Sequence, residues 1–260
     1  MIKIALAQIC IDYDNIQKNI EKGLSFISKA VNSGCEAIIL PELWSTGFRL
    51  ENHLRFSEAN ASLIDTLNSI ATKDHIEIMG SYIIKKGGHF YNQFNALIPK
   101  QSRISYNKIH LFPSMHEPNF LTAGNEIQVF SSNLGNIGPS ICFDLRFPEI
   151  YVEIARKNGQ VHVIPAHWPS ARIHHWDVLL QARAIETISY VIGVNSVGHS
   201  GKTNFGGHSA VISPDGAVIA QASSKDEDLI IVNIDPGLPG EVRKTHSFFS
   251  EIISARPQEF

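Results

Sequence analysis

The chain has 260 residues, with 22 basic and 25 acidic side chains and a formal net charge of -3. Hydrophobic residues make up 43% and charged residues 18%, an ordinary globular composition long enough to bury a sizeable core. That balance gives no footing for nucleic acid or an anionic membrane as partner, and no apolar run approaches the ~20 residues that span a bilayer.

In chain order, Ile2–Ile9 alternates as a strand. Ile16, Ile20, Leu24, Ile27 and Val31 then recur at helical spacing, which predicts an amphipathic helix over Asp14–Ser33 with Asp12 or Asp14 as its cap. Ala37–Leu40 is a short buried strand stopped by Pro41. Ser62–Lys73 reads as a helix. Ile76–Ile84 is a strand, turned by Lys86-Gly87-Gly88 into Phe90–Leu97, and Ser102–Asn107 continues the sheet. The second half repeats this rhythm. Asn136–Ile141 is a strand, Pro148–Asn158 a helix, Val161–Pro165 a strand, Trp176–Thr187 a helix and Tyr190–Ser196 a strand. Ala210–Ser213 and Ala217–Gln221 flank the turn Pro214-Asp215-Gly216, and Leu229–Ile234 is the last clear strand. No linker divides the chain, so one domain is expected over residues 1–260, with the last ~25 residues a tail or dimer-contact segment. Alternating strands and helices argue α/β. The hairpins make the sheets mixed, and about a dozen strands is too many for one open sheet. Two sheets packed face to face, with helices outside both, would hold them.

Three cysteines (Cys10, Cys35 and Cys142) are odd in number and widely spaced, so neither a disulfide framework nor a CxxC knuckle can be built. A reducing cytoplasm is the expected compartment. Met1–Gln8 is too short and too alternating for a signal peptide. Cys142 is the most informative of the three, because it ends an apolar strand and precedes a helix. On such a turn a thiol is exposed at the carboxyl edge of the sheet, where backbone N–H groups can face an oxyanion. Taken alone, a cysteine there also reads as a small buried hydrophobe. Cys10 and Cys35 are read that way. Glu42, beside Trp44 at another strand end, is partly desolvated, which raises its pKa toward that of a general base. Lys108 follows a third strand among apolar neighbours. A thiol needs a base and a positive field to attack at neutral pH, so the three together say more than any one of them.

Pro41-Glu42-Leu43-Trp44, Asn107-Lys108-Ile109-His110-Leu111 and Ile141-Cys142-Phe143-Asp144-Leu145-Arg146-Phe147-Pro148-Glu149 resemble the three signatures of the carbon–nitrogen hydrolase (nitrilase) superfamily. Their separations fit too, 66 residues from Glu42 to Lys108 and 34 more to Cys142. Glu117-Pro118-Asn119-Phe120-Leu121-Thr122-Ala123-Gly124 resembles the segment carrying that family's second glutamate. The resemblance runs from the first strand to about Asp235. It implies a four-layer α-β-β-α sandwich, usually dimeric, with Glu42, Lys108, Cys142 and Glu117 as catalytic residues. Within the superfamily, Ala166-His167-Trp168-Pro169 and Gln181-Ala182-Arg183-Ala184-Ile185-Glu186 are similar to the ω-amidases, which act on 2-oxoglutaramate and related ω-amides. That branch more often has Asn before the Trp, where this chain has His167.

The expected reaction is therefore thiol-dependent hydrolysis of a small amide. The alternatives are a deaminated-glutathione-type or general aliphatic amidase, an N-carbamoyl hydrolase, or a non-catalytic scaffold member. The backbone N–H of Phe143 is expected at the oxyanion, Trp168 as an apolar wall, and Arg172 as the cation for a substrate carboxylate. No cofactor and no metal are expected, since the twelve histidines show no HExxH or similar spacing. Gly198-His199-Ser200-Gly201-Lys202-Thr203 ends like a P-loop but lacks the first glycine and a following helix, so a polar loop is expected. A homodimer is expected through the helices at 148–158 and 176–187, whose Ile150, Ile154, Val178 and Ile185 could equally be core.

Overall fold

In the computed structural model, which describes residues 1–254, strand alternation sets the layers. In β1 (Ile2–Gln8), Ile4 and Leu6 join one apolar cluster while Ala5 and Ala7 join another. After α1 (Ile16–Asn32), β2 (Ala37–Ile39) repeats this division. Ala37 and Ile39 face the first cluster, Ile38 and Leu40 the second. A sheet apolar on both faces must be covered on both. Here α1 and α2 (His53–Asp74) supply Phe26, Ile27, Leu63, Ile64 and Leu67 to the outer cluster, and the other sheet covers the inner face.

The first sheet is completed by β3 (Glu77–Lys86), β4 (His89–Leu97), β5 (Ile104–Asn107) and, from the far end of the chain, β14 (Asp228–Ile234), in the order β14-β1-β2-β3-β4-β5. The second runs β13-β12-β9-β8-β7-β6. Its members are β6 (Phe130–Ser132), β7 (Gly135–Pro139), β8 (Val161–Ala166), β9 (Tyr190–Asn195), β12 (Ala210–Ile212) and β13 (Val218–Gln221). Each sheet has a parallel core of three strands, β1–β2–β3 and β7–β8–β9, with antiparallel strands outside it. The helices α3 (Pro148–Arg156) and α4 (Ile173–Thr187) complete the four layers as expected. In the same order β10 (Val197–Ser200) and β11 (Thr203–Gly206) pair by themselves. Their hairpin is the stretch that ends like a P-loop, and a strand follows where a P-loop needs a helix.

Three expectations need correction. The cap of α1 is neither Asp12 nor Asp14 but Asn15, whose side chain accepts from the Lys18 amide. Asp12 instead folds the approach, accepting from the amides of Asp14 and Asn15. The second helix starts at His53, nine residues before Ser62. Its buried stripe includes a polar member, Asn60, which accepts from Ser45 Oγ and donates to the Ile83 carbonyl, so the apolar period looked broken. The strand that leads to Cys142 ends at Pro139 rather than Ile141.

Of the four residues assigned either to core or to a dimer face, Ile150 and Ile154 are core, while Val178 and Ile185 are exposed. Beyond Asp235, where a tail or dimer-contact segment was expected, α5 (Leu238–Thr245) and α6 (Phe248–Ser254) turn back onto the same chain. Arg243 donates to the carbonyls of Gly159, Thr187 and Ile188 and to Ser189 Oγ. The last six residues of that segment lie outside the described residues. No helix among the described residues is long and apolar enough to cross a membrane.

Candidate active site

The parallel strands of both sheets end at one place, and each chemical group sits just past such an end or beside it. After β2 the ladder extends by one bond, Leu40 N to Met79 O, and then Glu42 N donates to Ala166 O at the end of β8 in the other sheet. Leu43 turns the chain with φ 44°, its amide held by Ser81 Oγ. Lys108 follows β5 directly. Its amide donates to Asn92 O, and its carbonyl accepts from Gly124 N. Only glycine fits at 124, since a Cβ there would lie 2.3 Å from the Asn107 carbonyl oxygen.

Three side chains meet here in a buried cluster. Glu42, Lys108 and Glu117 are at most 1% exposed. Lys108 Nζ lies 2.8 Å from Glu42 Oε1 and 2.7 Å from Glu117 Oε2. Asn92 Nδ2 donates to both acids, at 2.8 Å to Glu42 and 3.2 Å to Glu117. The second Glu42 oxygen accepts from His167 N at 3.0 Å, and Glu117 Oε2 also accepts from Phe112 N. A buried ion pair tolerates its desolvation only when its remaining polar atoms are satisfied in this way.

Burial pushes the Glu42 carboxyl above its usual range, and the Lys108 ammonium opposes that rise without cancelling it. Burial alone would lower the Lys108 ammonium. The charges of Glu117 and Glu42 outweigh it and hold the ammonium well above the ordinary lysine value.

Cys142 lies in a 3-10 turn (Cys142–Arg146) just beyond β7, with φ 45°. A non-glycine residue pays for the left-handed region unless its surroundings fix it there. Here Ser140 N still pairs with Val163 O, and the next turn is closed by Asp144 N to Ile141 O. The residue is 8% exposed. Burial and the Glu42 charge raise its thiol well above the ordinary value, Lys108 pulling the other way. Burial and the Glu42 charge thus favour the protonated thiol at rest.

Cys142 opens into a cleft of about 260 Å³ of non-protein space, partly open to solvent. Phe112, Phe143, Arg146, His167, Trp168, Pro169 and Arg172 complete its lining. Phe143, Trp168 and Arg172, the expected substrate-side residues, thus line the same cleft as Cys142. Trp168 is buried, its indole N–H bonded to Arg172 O at 2.8 Å. The Arg146 guanidinium lies over the Trp168 ring, 4.8 Å from its centre, and donates to His175 Nδ1. Arg172 lies over Phe112 at 5.7 Å. Among the described residues, neither arginine has a carboxylate within ion-pair distance. Burial and the nearby Arg172 charge lower the Arg146 pKa.

Two contributors were absent from the sequence reading, Asn92 and Arg146. Asn92 lies in Tyr91-Asn92-Gln93-Phe94-Asn95, and three amides within one strand were a usable signal, since a strand interior rarely holds amides without partners. Arg146 stands inside the quoted cysteine motif but carried no separate clue. Among the described residues no group of three or more His, Cys, Asp or Glu side chains is arranged to hold a metal ion. His167, which lines the same cleft as Cys142, is held between Phe48 and Phe205, and burial pushes its pKa down to about 3.

The carbon-nitrogen hydrolase pattern matches residues 3–244 of the chain. A Staphylococcus lugdunensis protein named "hydrolase in agr operon" is 37% identical over 228 residues, covering 85% of this chain and 97% of that protein. The 2-oxoglutaramate amidase of Bacillus subtilis (strain 168) is 34% identical over 253 residues, covering 96% of each. Among solved structures, XC1258 of Xanthomonas campestris superposes with TM-score 0.88 at 24% identity, over 100% of this chain and 98% of that one. It is described as a CN-hydrolase superfamily protein with an arsenic adduct in its active site, and at this identity it speaks for the fold alone. With the pattern spanning nearly the whole chain, and both relatives covered over most of their length, the chain belongs to the carbon–nitrogen hydrolase family and is an enzyme of that kind.

Proposed function

We propose that the protein is a cytoplasmic amidase that releases ammonia from ω-amides of dicarboxylic acids, such as 2-oxoglutaramate, through a thioester on Cys142. The observation that carries the substrate class is the wall of the cleft. Arg146 and Arg172 reach it half-buried with no carboxylate partner among the described residues, and an anionic substrate would supply one. The likeness to a 2-oxoglutaramate amidase supports the same class.

The amide carbonyl enters above Cys142. Glu42 takes the thiol proton as sulfur attacks the carbonyl carbon, and the carbonyl π electrons move onto oxygen. Lys108 and the backbone N–H of Phe143 stabilise that oxyanion, and one preorganised donor contributes on the order of 3 kcal/mol to the barrier. The tetrahedral intermediate collapses, the C–N bond breaks, and Glu42 gives its proton to the departing ammonia. Water, deprotonated by Glu42, then attacks the thioester. Sulfur leaves with the proton, and the free acid is released. Glu117 and Asn92 keep Lys108 and Glu42 in place through both halves. Trp168 packs along the methylenes between the amide and the distal carboxylate.

The test is ammonia release by the native enzyme from 2-oxoglutaramate, succinamate, butyramide, a carbamoyl amino acid and an aliphatic nitrile. The ω-amide acids are expected to be fastest. Butyramide as the fastest substrate would make this a general aliphatic amidase, and a preferred carbamoyl compound or nitrile would displace the amidase reading. We further propose that a second copy of the chain covers Val178 and Ile185 of α4. A monomer in sedimentation at micromolar concentration would contradict this.

A further inference from the structure

β5, which delivers Lys108, is the edge strand of one sheet. β7, which delivers Cys142, lies in the other. No strand ladder joins them, so sheet pairing does not set the distance between the ammonium and the thiol. The Asp144 side chain ties the segment carrying Lys108 directly to the turn carrying Cys142. Asp144 is fully buried, and its two carboxyl oxygens accept four hydrogen bonds. Oδ2 accepts from Ile141 N at 3.0 Å and from Tyr106 OH at 2.7 Å. Oδ1 accepts from His110 N at 2.8 Å and lies 3.0 Å from His110 Nδ1.

The donors' places in the chain give this its meaning. Tyr106 and His110 stand two residues before and two residues after Lys108, and Ile141 immediately precedes Cys142. One carboxyl group thus grips the lysine segment on both sides and the cysteine turn at its start. Ring contacts also join these segments, His110 on Phe147 (centroids 3.5 Å apart, planes within 5°) and Phe112 on Phe143 (4.8 Å), alongside apolar packing of Tyr106 and Ile109 in the cluster that holds Cys142. Ring contacts slide more easily than hydrogen bonds, which fix distance and direction.

We propose that Asp144 is a positioning residue that sets the separation of Lys108 and Cys142 and so governs how readily the thiol gives up its proton. The proposal rests on the assignment of Cys142 as nucleophile and Lys108 as the cation facing the oxyanion. It does not depend on which amide is the substrate. Asn at 144 keeps the volume but turns an NH2 toward two of the four donors. Tyr106 could reverse its hydroxyl to accept from that NH2, but the amides of Ile141 and His110 cannot accept, so one backbone bond is lost either way.

The experiment measures iodoacetamide alkylation of Cys142 against pH, located by peptide mass, together with kcat and KM for the best amide. It compares native enzyme, Asp144→Asn and Tyr106→Phe. Displacing Lys108 from the thiol should move the alkylation midpoint to higher pH, by roughly half a unit or more in Asp144→Asn and less in Tyr106→Phe. Loss of a nearby negative charge acting through space would move it to lower pH, so the sign separates the two effects. The expected kcat loss is about tenfold or more in Asp144→Asn and about threefold in Tyr106→Phe, with KM within about twofold. Should Asp144→Asn fail to fold, Tyr106→Phe, which keeps the carboxyl and the ring, decides alone. A midpoint that stays put or moves down in a folded variant overturns the proposal, as does a loss appearing in KM instead of kcat. A fully active Cys142→Ala would overturn the underlying assignment instead, which keeps the two failures apart.

Discussion

On one side of Cys142 stand Glu42, Lys108, Glu117 and Asn92, all almost fully buried and tied to one another by short polar contacts. On the other stand Arg146 and Arg172, half-buried, resting on aromatic rings and lacking any carboxylate partner among the described residues. The charges of the first group are paired with one another before a substrate arrives. The second is incomplete until one does. Charges already paired in a dry site cost little to reorganise during reaction, which suits them to the chemistry. Unpaired cations at a half-open wall gain most from an incoming anion, which suits them to selection. If this division is right, damage to the first group should appear in kcat, and damage to the second in KM for anionic substrates.

The largest effect should come from Cys142→Ala. Turnover should fall by about four orders of magnitude or more, with the circular dichroism spectrum unchanged. Retention of more than a few per cent of native activity would remove the thiol from the mechanism. Lys108→Ala comes next. It should lower kcat by about a thousandfold and also destabilise the fold by about 3–5 kcal/mol, because it leaves two buried carboxyl groups without their cation. A denaturant melt that coincides with native would show that the cluster is less tightly coupled than its distances imply.

The pH profile sharpens the comparison further. Burial raises Glu42 above its ordinary 4.5, so its protonated form persists to higher pH than a surface glutamate's. Protonated Glu42 cannot accept the thiol proton. The rate should therefore fall on acidification, about tenfold per pH unit below an apparent pKa that lies above 4.5. An acid limb at or below that value would contradict Glu42 as the base. The smallest effects should come from Cys10→Ala and Cys35→Ala, each within about twofold of native activity, because neither thiol lines the Cys142 cleft.

Legibility in the sequence followed the reach of each residue's partners. Glu42, Lys108 and Cys142 could be read because each follows the carboxyl end of a strand, which is a local feature. Glu117 could be read only through family resemblance. Its role depends on Lys108 and Phe112, which meet it through the left-handed turn at His116, and nothing in His116-Glu117-Pro118 announces that turn. Two face-to-face sheets were legible because about a dozen strands alternating with helices are too many for one open sheet, and the four-layer sandwich came with the family resemblance. The start of α2 was not, since Asn60 is buried for a hydrogen-bonding reason that hydropathy does not register. Asp144 stood in plain view inside the cysteine motif. Its partners lie 34 and 38 residues away in another sheet, a distance across which periodicity carries no information.

The claim that the arginine wall selects the substrate can be tested in one matched measurement. It is kcat/KM for succinamate and for butyramide, in the native enzyme and in Arg146→Ala, Arg172→Ala and the double variant. The two amides differ chiefly by the distal carboxylate, so their ratio isolates its recognition. The native ratio should favour succinamate, each single variant should reduce the preference about tenfold or more through KM, and the double variant should nearly abolish it while butyramide turnover stays within about threefold. A ratio that survives loss of both guanidinium groups, or a loss equal for the two amides, would show that these arginines hold the loop together and do not read the substrate.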